Sequence, residues 1–293
     1  MTYCVGMRLN AGLVFLSDSR TNAGVDQIST YRKMTVFEHP GERLMALLTA
    51  GNLAITQAVQ QIVCERLDPD RKSLWNAAGM LEAVRVVGDA VREVHSRDAE
   101  ALKEAGIEFN CSFILGGQLR GEAMRLFHVY AAGNFIEATA ENPYFQIGES
   151  KYGKPIIDRV LSPDTSLGEA AKCALVSMDS TLRSNISVGL PLDLLVYEAD
   201  QLRVTKFVQI DQNNEYMQMI RNTWGARLRQ VFSEIPDPTW RDAPVTTHAP
   251  RLETTHCTPV RAPLPAGLHE GPASAPIQLV AQATAQSKPR AQK

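Results

Sequence analysis

Apolar positions along residues 2–235 recur with two different periods, and the switches between them outline a fold. Residues 3–8 and 13–17 are short apolar runs joined by Asn10-Ala11-Gly12, which predicts a hairpin. Runs at 34–37 and 44–49 predict two further strands. The period then lengthens. Leu53, Val59, Ile62 and Val63 mark a helix over 52–67 that stops before Pro69, and Leu81, Val84, Val87, Val91 and Val94 mark a second over 74–96. Strands return at 111–116, 124–130 and 135–138, with Gly116-Gly117 read as the turn between the first two. Helices are predicted at 155–160 and 167–182, strands at 192–198 and 202–207, and a last helix at 215–232. Strands, two helices, strands, two helices, strands: this order suits an α+β chain with two antiparallel sheets stacked face to face between helical layers. Order alone leaves another α+β arrangement open.

Composition changes the picture at one end of the chain. Ten of the 16 prolines lie from Pro236 onward, among Ala, Thr, Gln and Ser, with no apolar period. Such a segment cannot bury enough surface to offset the entropy of ordering it. The expected organisation is therefore a domain over 2–235 and a disordered Pro/Ala-rich tail over 236–293. The net charge of -2 gives no global basic field, so neither nucleic acid nor an anionic membrane is implied as a partner. Cys4, Cys64, Cys111, Cys173 and Cys257 are odd in number, scattered and without a CxxC pair. They read as small hydrophobes of a reducing compartment, not as a disulfide framework or a zinc site. No apolar run has the length of a membrane span and the start has no secretory pattern, so a cytoplasmic protein is expected.

Thr2 follows Met1, and removal of the methionine would leave a threonine whose hydroxyl and free α-amine share one residue. The amine, with a reference pKa of about 7.7–8.0, titrates near neutral pH and can serve the hydroxyl as base. Many chains begin Met-Thr, so this signal carries weight only in context. The context is a strand starting at Thr2, then FLSDSRTNAG from Phe15, RKM from Arg32 and LTAG from Leu48. That series resembles the catalytic subunits of proteasomes and related bacterial proteases, over roughly residues 2–210. In that family a processed N-terminal threonine is followed by a D-S-R-like triplet, a lysine and an A-G pair. The lack of a propeptide beyond Met1 and the GESKYGKPI segment resemble more narrowly the bacterial Anbu subgroup, the ancestral β-subunits.

The resemblance implies the four-layer αββα sandwich of N-terminal nucleophile hydrolases and a threonine-type peptidase assembled as a homo-oligomeric ring or ring-like body. Carried over position by position, it makes Thr2 the nucleophile and Lys33 the cation that lowers the cost of the alkoxide. Asp18 becomes the partner that holds Lys33, at a spacing one residue shorter than the common pattern. Gly51 becomes the oxyanion N–H donor. Thr21 and Thr49 fall where the family lines its substrate groove and first pocket. The family's G-S-G turn reads Gly148-Glu149-Ser150 here, so either Glu149 occupies the serine slot or Ser150 moves into it. Its D-x-x-S-x-G reads Ser184-Asn185-Ile186-Ser187-Val188-Gly189: Ser187 matches, and Ser184 stands where the aspartate should be. Two other readings follow from that departure and from the fold: a catalytically idle assembly subunit, or a narrow amidase for a small amide or isopeptide.

Other chemistries find little support. The six histidines form no HExxH or paired ligand spacing, and there is no G-x-S-x-G elbow, Walker A or Rossmann glycine pattern. No metal or cofactor is expected. Cys4, beside Thr2 in sequence, alternates to the opposite face of its strand and reads as core.

Overall fold

The structure, a computed structural model, describes residues 2–22, 28–65 and 71–239. In chain order the strands are β1 (Tyr3–Leu9), β2 (Gly12–Asp18), β3 (Arg20–Asn22), β4 (Ile28–Thr30), β5 (Met34–His39) and β6 (Arg43–Gly51). Helices α1 (Leu53–Cys64) and α2 (Met80–Glu104) follow, then β7 (Cys111–Leu119), β8 (Arg125–Val129), β9 (Phe135–Glu137) and β10 (Tyr144–Gly148). The series ends with α3 (Lys154–Val160), α4 (Leu167–Ser184), β11 (Leu192–Glu198), β12 (Lys206–Ile210) and α5 (Glu215–Glu234). Two units divide the chain, residues 1–236 and 237–293. Past residue 239 the expected tail lies outside the described residues.

Two five-stranded antiparallel sheets make the centre, in the orders β10-β1-β2-β11-β12 and β5-β6-β7-β8-β9. Strand alternation sorts their side chains into three cores. In β6, Leu44, Ala46, Leu48 and Ala50 face the other sheet and meet Phe15, Leu195 and Tyr197 from it. Met45 and Leu47 point the other way, onto Val59, Val84, Val87 and Val91 of α1 and α2. On the first sheet, Val5, Val14, Leu16 and Leu194 pack against Ala174, Met178 and Met217 of α4 and α5. Helices, sheet, sheet, helices: this is the αββα sandwich.

Three local expectations are corrected. Gly116-Gly117 is no turn but the middle of β7. A β-carbon at Gly116 would stand 2.7 Å from both Phe15 Cζ and Leu126 Cδ1, so glycine serves close approach across the sheets. Helix α2 begins at Met80 instead of residue 74, because Ser73 and Asn76 close a turn on each other (Ser73 N–H to Asn76 Oδ1, 2.8 Å). Beyond residue 96 the helix runs on through a polar stretch to Glu104. The last strand is Lys206–Ile210 instead of 202–207, because β11 pairs Leu192 with Ile210 and Val196 with Lys206. Strands β3 and β4 are too short and polar to announce themselves in the pattern, and β10 owes its place to a partner far off in sequence, β1.

Cys4 lies in the core between the sheets, its thiol pushed above the usual range by burial and by Asp18. Burial lifts Cys111 to about 12 and Cys173 to about 11. Iodoacetamide at about pH 8 should leave these three untouched in the native protein and label them after unfolding. Native labelling at Cys4, read by peptide mass mapping, would contradict its assignment to the core.

Candidate active site

Thr2 directly precedes β1 and is clasped from one side by β10, whose Gly148 pairs with Tyr3. The Glu149 N–H donates to the Thr2 carbonyl oxygen at 2.7 Å. Gly148 makes this approach possible. Its φ is +80°, and a β-carbon would stand 2.7 Å from the Thr2 carbonyl carbon and closer still to its oxygen.

On the other side, β2 ends at Asp18, which is fully buried. Asp18 Oδ1 accepts from the Tyr3 N–H at 3.0 Å and from Lys33 Nζ at 2.7 Å, while Oδ2 accepts from the Gly189 N–H at 3.3 Å. Lys33 Nζ also donates to the Arg20 carbonyl at 2.7 Å, and the Lys33 carbonyl accepts from the Thr49 N–H at 3.0 Å. The carboxylate thus ties the backbone just after Thr2 to an ammonium with 5% side-chain exposure. Burial pushes the Asp18 carboxyl above the usual carboxylate range, against the pull of Lys33 and the two N–H groups.

Thr2 opens onto a cleft of about 740 Å³, with Arg20, Thr21, Ala50, Gly51 and Glu149 among its lining. Gly51 closes β6 at φ +111°, where a β-carbon would meet Cys111 Cα at 2.8 Å. Asn52 then caps α1, its side chain accepting from the Ala54 N–H. This strand-to-helix corner needs glycine for its conformation and places it on the cleft lining shared with Thr2.

Of the residues expected at the site, Thr2, Thr21 and Gly51 line this cleft, and Asp18 and Lys33 lie buried against it. Thr21 is held by Ser29, hydroxyl to hydroxyl at 2.7 Å. Thr49 is not on the lining: it is 2% exposed on the face of β6 that alternation turns toward the helices. Ser150 also misses the cleft. It lines a separate hollow of about 460 Å³ with Tyr144 and Asp158, and Glu149 takes the position facing Thr2. Ser184 ends α4 exposed, whereas Asn185 is buried beside it and accepts the Ser187 N–H on Oδ1 at 2.9 Å. Ser187, half-buried in this turn, is not part of the lining.

One feature was left as an alternative in the sequence reading and three escaped it. Glu149 brings a carboxylate into the cleft; one of its oxygens is buried without a hydrogen bond, 3.7 Å from Lys151 Nζ. Arg20 lies over Gly189 and donates to the Ile186 carbonyl at 2.8 Å, fixing the loop after α4. Asn185 is the buried polar group of that loop. Ser112, on the lining, meets His128 Nε2 at 2.7 Å, and burial holds that imidazole below its usual pKa. No carboxylate among the described residues bonds His128, so the pair does not extend to a triad. Only the D-S-R signature could have pointed to Arg20; the others depend on contacts across the fold. Among the described residues no cluster of His, Cys, Asp or Glu could hold a metal ion, and no helix is long and apolar enough to cross a membrane.

The chain matches no family model and no curated protein. Solved structures match it along nearly their whole lengths. Anbu (ancestral beta-subunit) from Yersinia bercovieri is 54% identical, with a TM-score of 0.77 over 82% of this chain and 100% of that one. A Gly-1 mutant of Anbu from Hyphomicrobium sp. strain MC1 is 52% identical, with a TM-score of 0.76 over 82% and 100%. A structure described as a helical assembly of the Anbu complex from Pseudomonas aeruginosa is 48% identical, with a TM-score of 0.77 over 81% and 98%. About half the residues of these structures recur here in one αββα sandwich, with Thr2 directly before β1; the chain belongs to the Anbu (ancestral beta-subunit) family of proteasome-type subunits.

Proposed function

We propose that this chain is a threonine-type peptidase, active in a self-assembled proteasome-like oligomer once Met1 has been removed. The observation that carries the reading is the buried Asp18–Lys33 pair, bonded to the backbone that follows Thr2 at the wall of the cleft. An isolated surface pair would mean little, but a lysine and an aspartate taken out of water need a reason. In the proposed reaction the Thr2 hydroxyl gives its proton to its own α-amine as Oγ attacks the amide carbon. Lys33 favours the developing alkoxide and the neutral amine, and the Gly51 N–H receives the tetrahedral oxyanion. The leaving amine takes the proton, and water then hydrolyses the Thr2 ester by the same route in reverse. Glu149 supplies a cleft carboxylate that can orient the α-amine, a task for which residue 184 has only a serine.

Residues 2–235 form the hydrolase domain in this reading, 236–293 a tail, and the compartment is the cytoplasm. Self-assembly draws support from the relative described as a helical assembly. The exposed Ser184 favours a second reading, in which the fold persists as an idle assembly subunit; a narrow small-amide amidase is separated from a protease by its substrates. Intact-mass spectrometry of the untagged protein with a peptide epoxyketone tests the proposal, because that warhead needs a hydroxyl and a free α-amine on one residue. Loss of Met1 and one adduct mapped to Thr2 is expected. A clean Thr2 terminus that never reacts, even assembled, would leave the idle subunit.

A further inference from the structure

Asp193, on β11, is buried without a partner for its charge. It is 1% exposed, and neither carboxylate oxygen has a hydrogen bond. Antiparallel pairing sets it in one row across the sheet: Cys4 opposite Ser17, Ser17 opposite Asp193, and Asp193 opposite Gln209. Directly paired residues share a face, and Cys4 puts this face in the core between the two sheets. The facing sheet brings Met34, Leu48 and other apolar side chains to that layer. The Ser17 hydroxyl is likewise fully buried and unbonded. Burial pushes the Asp193 carboxyl above the usual carboxylate range, against the pull of Arg32. A buried carboxylate and a buried hydroxyl without partners are costly to the fold, so the place calls for a donor.

One donor is at hand. Arg32 Nε lies 4.0 Å from Asp193 Oδ2, with 60% of its side chain exposed. That is about 1 Å beyond hydrogen-bond reach. A guanidinium carries several N–H donors in a flat fork, enough for both carboxylate oxygens and the Ser17 hydroxyl. A metal ion fits less well: among the described residues no cluster of His, Cys, Asp or Glu could hold one, and Arg32 would repel it. The other charges of the neighbourhood, Asp18 and Lys33, are bonded to each other at 2.7 Å, and burial keeps the Cys4 thiol protonated.

Position gives the contact a purpose. Ser17 pairs with Asp193 and Asp18 with Leu192, so the two carboxylates sit on adjacent strands, one residue out of step. Arg32 and Lys33 are the consecutive cations that answer them. Backbone bonds hold this segment on both sides of Arg32: the Tyr31 N–H donates to the Ser19 carbonyl at 2.7 Å, and the Thr49 N–H to the Lys33 carbonyl at 3.0 Å. A docked Arg32 adds a side-chain tether between them.

We propose that Asp193 is a positioning residue: it draws the Arg32 guanidinium in beside Ser17 and so fixes the segment that holds Lys33 against Asp18. The consequence for catalysis rests on the proposed threonine chemistry; the contact and its hold on Lys33 do not.

The test compares the unmodified full chain with Asp193→Asn, Arg32→Met and the double variant. Arg32 is exposed, so its variant should fold even if Asp193→Asn folds poorly, and circular dichroism checks both. In each single variant hydrogen exchange should quicken several-fold over residues 29–34. Acetic anhydride should also acetylate Lys33 faster, read by peptide mass mapping. The double variant should add little to either, because both changes break one contact. Both variants should form the Thr2 epoxyketone adduct about 10-fold more slowly than the unmodified protein. For Asp193→Asn that gap should close as the pH falls, because the unmodified Asp193 then takes up a proton and releases Arg32 itself. A purely structural Asp193 would keep the gap at every pH. Unchanged exchange and unchanged Lys33 labelling in both variants would overturn the contact and leave a buried water as the occupant. Faster exchange without faster Lys33 labelling would reduce Asp193 to a structural anchor. An unmodified protein that never forms the adduct would sink the threonine reading, while exchange and labelling would still decide whether Asp193 holds Lys33.

Discussion

Lys33→Met should silence the threonine and weaken the fold in a single step. Removing the ammonium leaves the Asp18 carboxylate fully buried, with only the Tyr3 and Gly189 N–H groups to receive it. Breaking a buried pair in this way costs about 3–5 kcal/mol, because one charge is left without compensation. The proposed chemistry loses its proton-tuning cation at the same time, a loss on the order of 10²–10⁴ in the rate of adduct formation or turnover. One mutant cannot separate the two effects, but a second can. Asp18→Asn combined with Lys33→Met removes both charges and keeps an oxygen acceptor for the Tyr3 N–H. Chemical denaturation should show most of the lost stability restored, while the epoxyketone reaction stays slow. If the double variant recovers stability and reactivity together, Lys33 is a structural partner only and the proposed role falls.

How far the site was legible in the sequence follows from how local each part is. Asp18 and Gly51 end strands whose alternation is visible in the chain, and Lys33 directly precedes another. A motif in sequence therefore became a motif in space. The core layers followed for the same reason: Leu44, Ala46 and Leu48 alternate with Met45 and Leu47, and each set met the layer that period 2 assigns it. Thr49 shows the limit. Its position in the family pattern put it at the pocket, but the same alternation turns its side chain away from the cleft lining. The turn after β10 was legible only as an ambiguity, because a one-residue slip exchanges Glu149 for Ser150. What fixes the register is the pairing of Tyr3 with Gly148, 145 positions apart in the chain and carried by no local signal. At the end of α4 the family pattern set Ser184 where an aspartate is expected. The helix runs to Ser184 and leaves it facing solvent, so that Asn185, the C-cap, turns inward.

Gly148→Ala is expected to damage the site far more than its backbone angle alone explains, and a second glycine supplies the control. Gly121 has φ +82° and Gly148 φ +80°, so alanine at either residue meets nearly the same left-handed strain, about 1–2 kcal/mol. At Gly121 nothing lies within 4 Å of the added β-carbon. At Gly148 it would press into the Thr2 carbonyl, the acceptor of the Glu149 N–H. Backbone cannot rotate out of the way as a side chain can, so β10 must withdraw from β1 or Thr2 must shift. Either movement displaces the proposed nucleophile from Gly51 and Glu149, and displacement of about 1 Å can cost a reaction of this kind 10²-fold. Gly121→Ala should thus lower thermal stability slightly and leave the Thr2 adduct rate unchanged. Gly148→Ala should lower both, with the adduct rate falling about 10²-fold or more. Equal adduct rates in the two variants would mean that the clasp of β10 on Thr2 does not position the nucleophile, and the site would then have to be rebuilt from Asp18 and Lys33 alone.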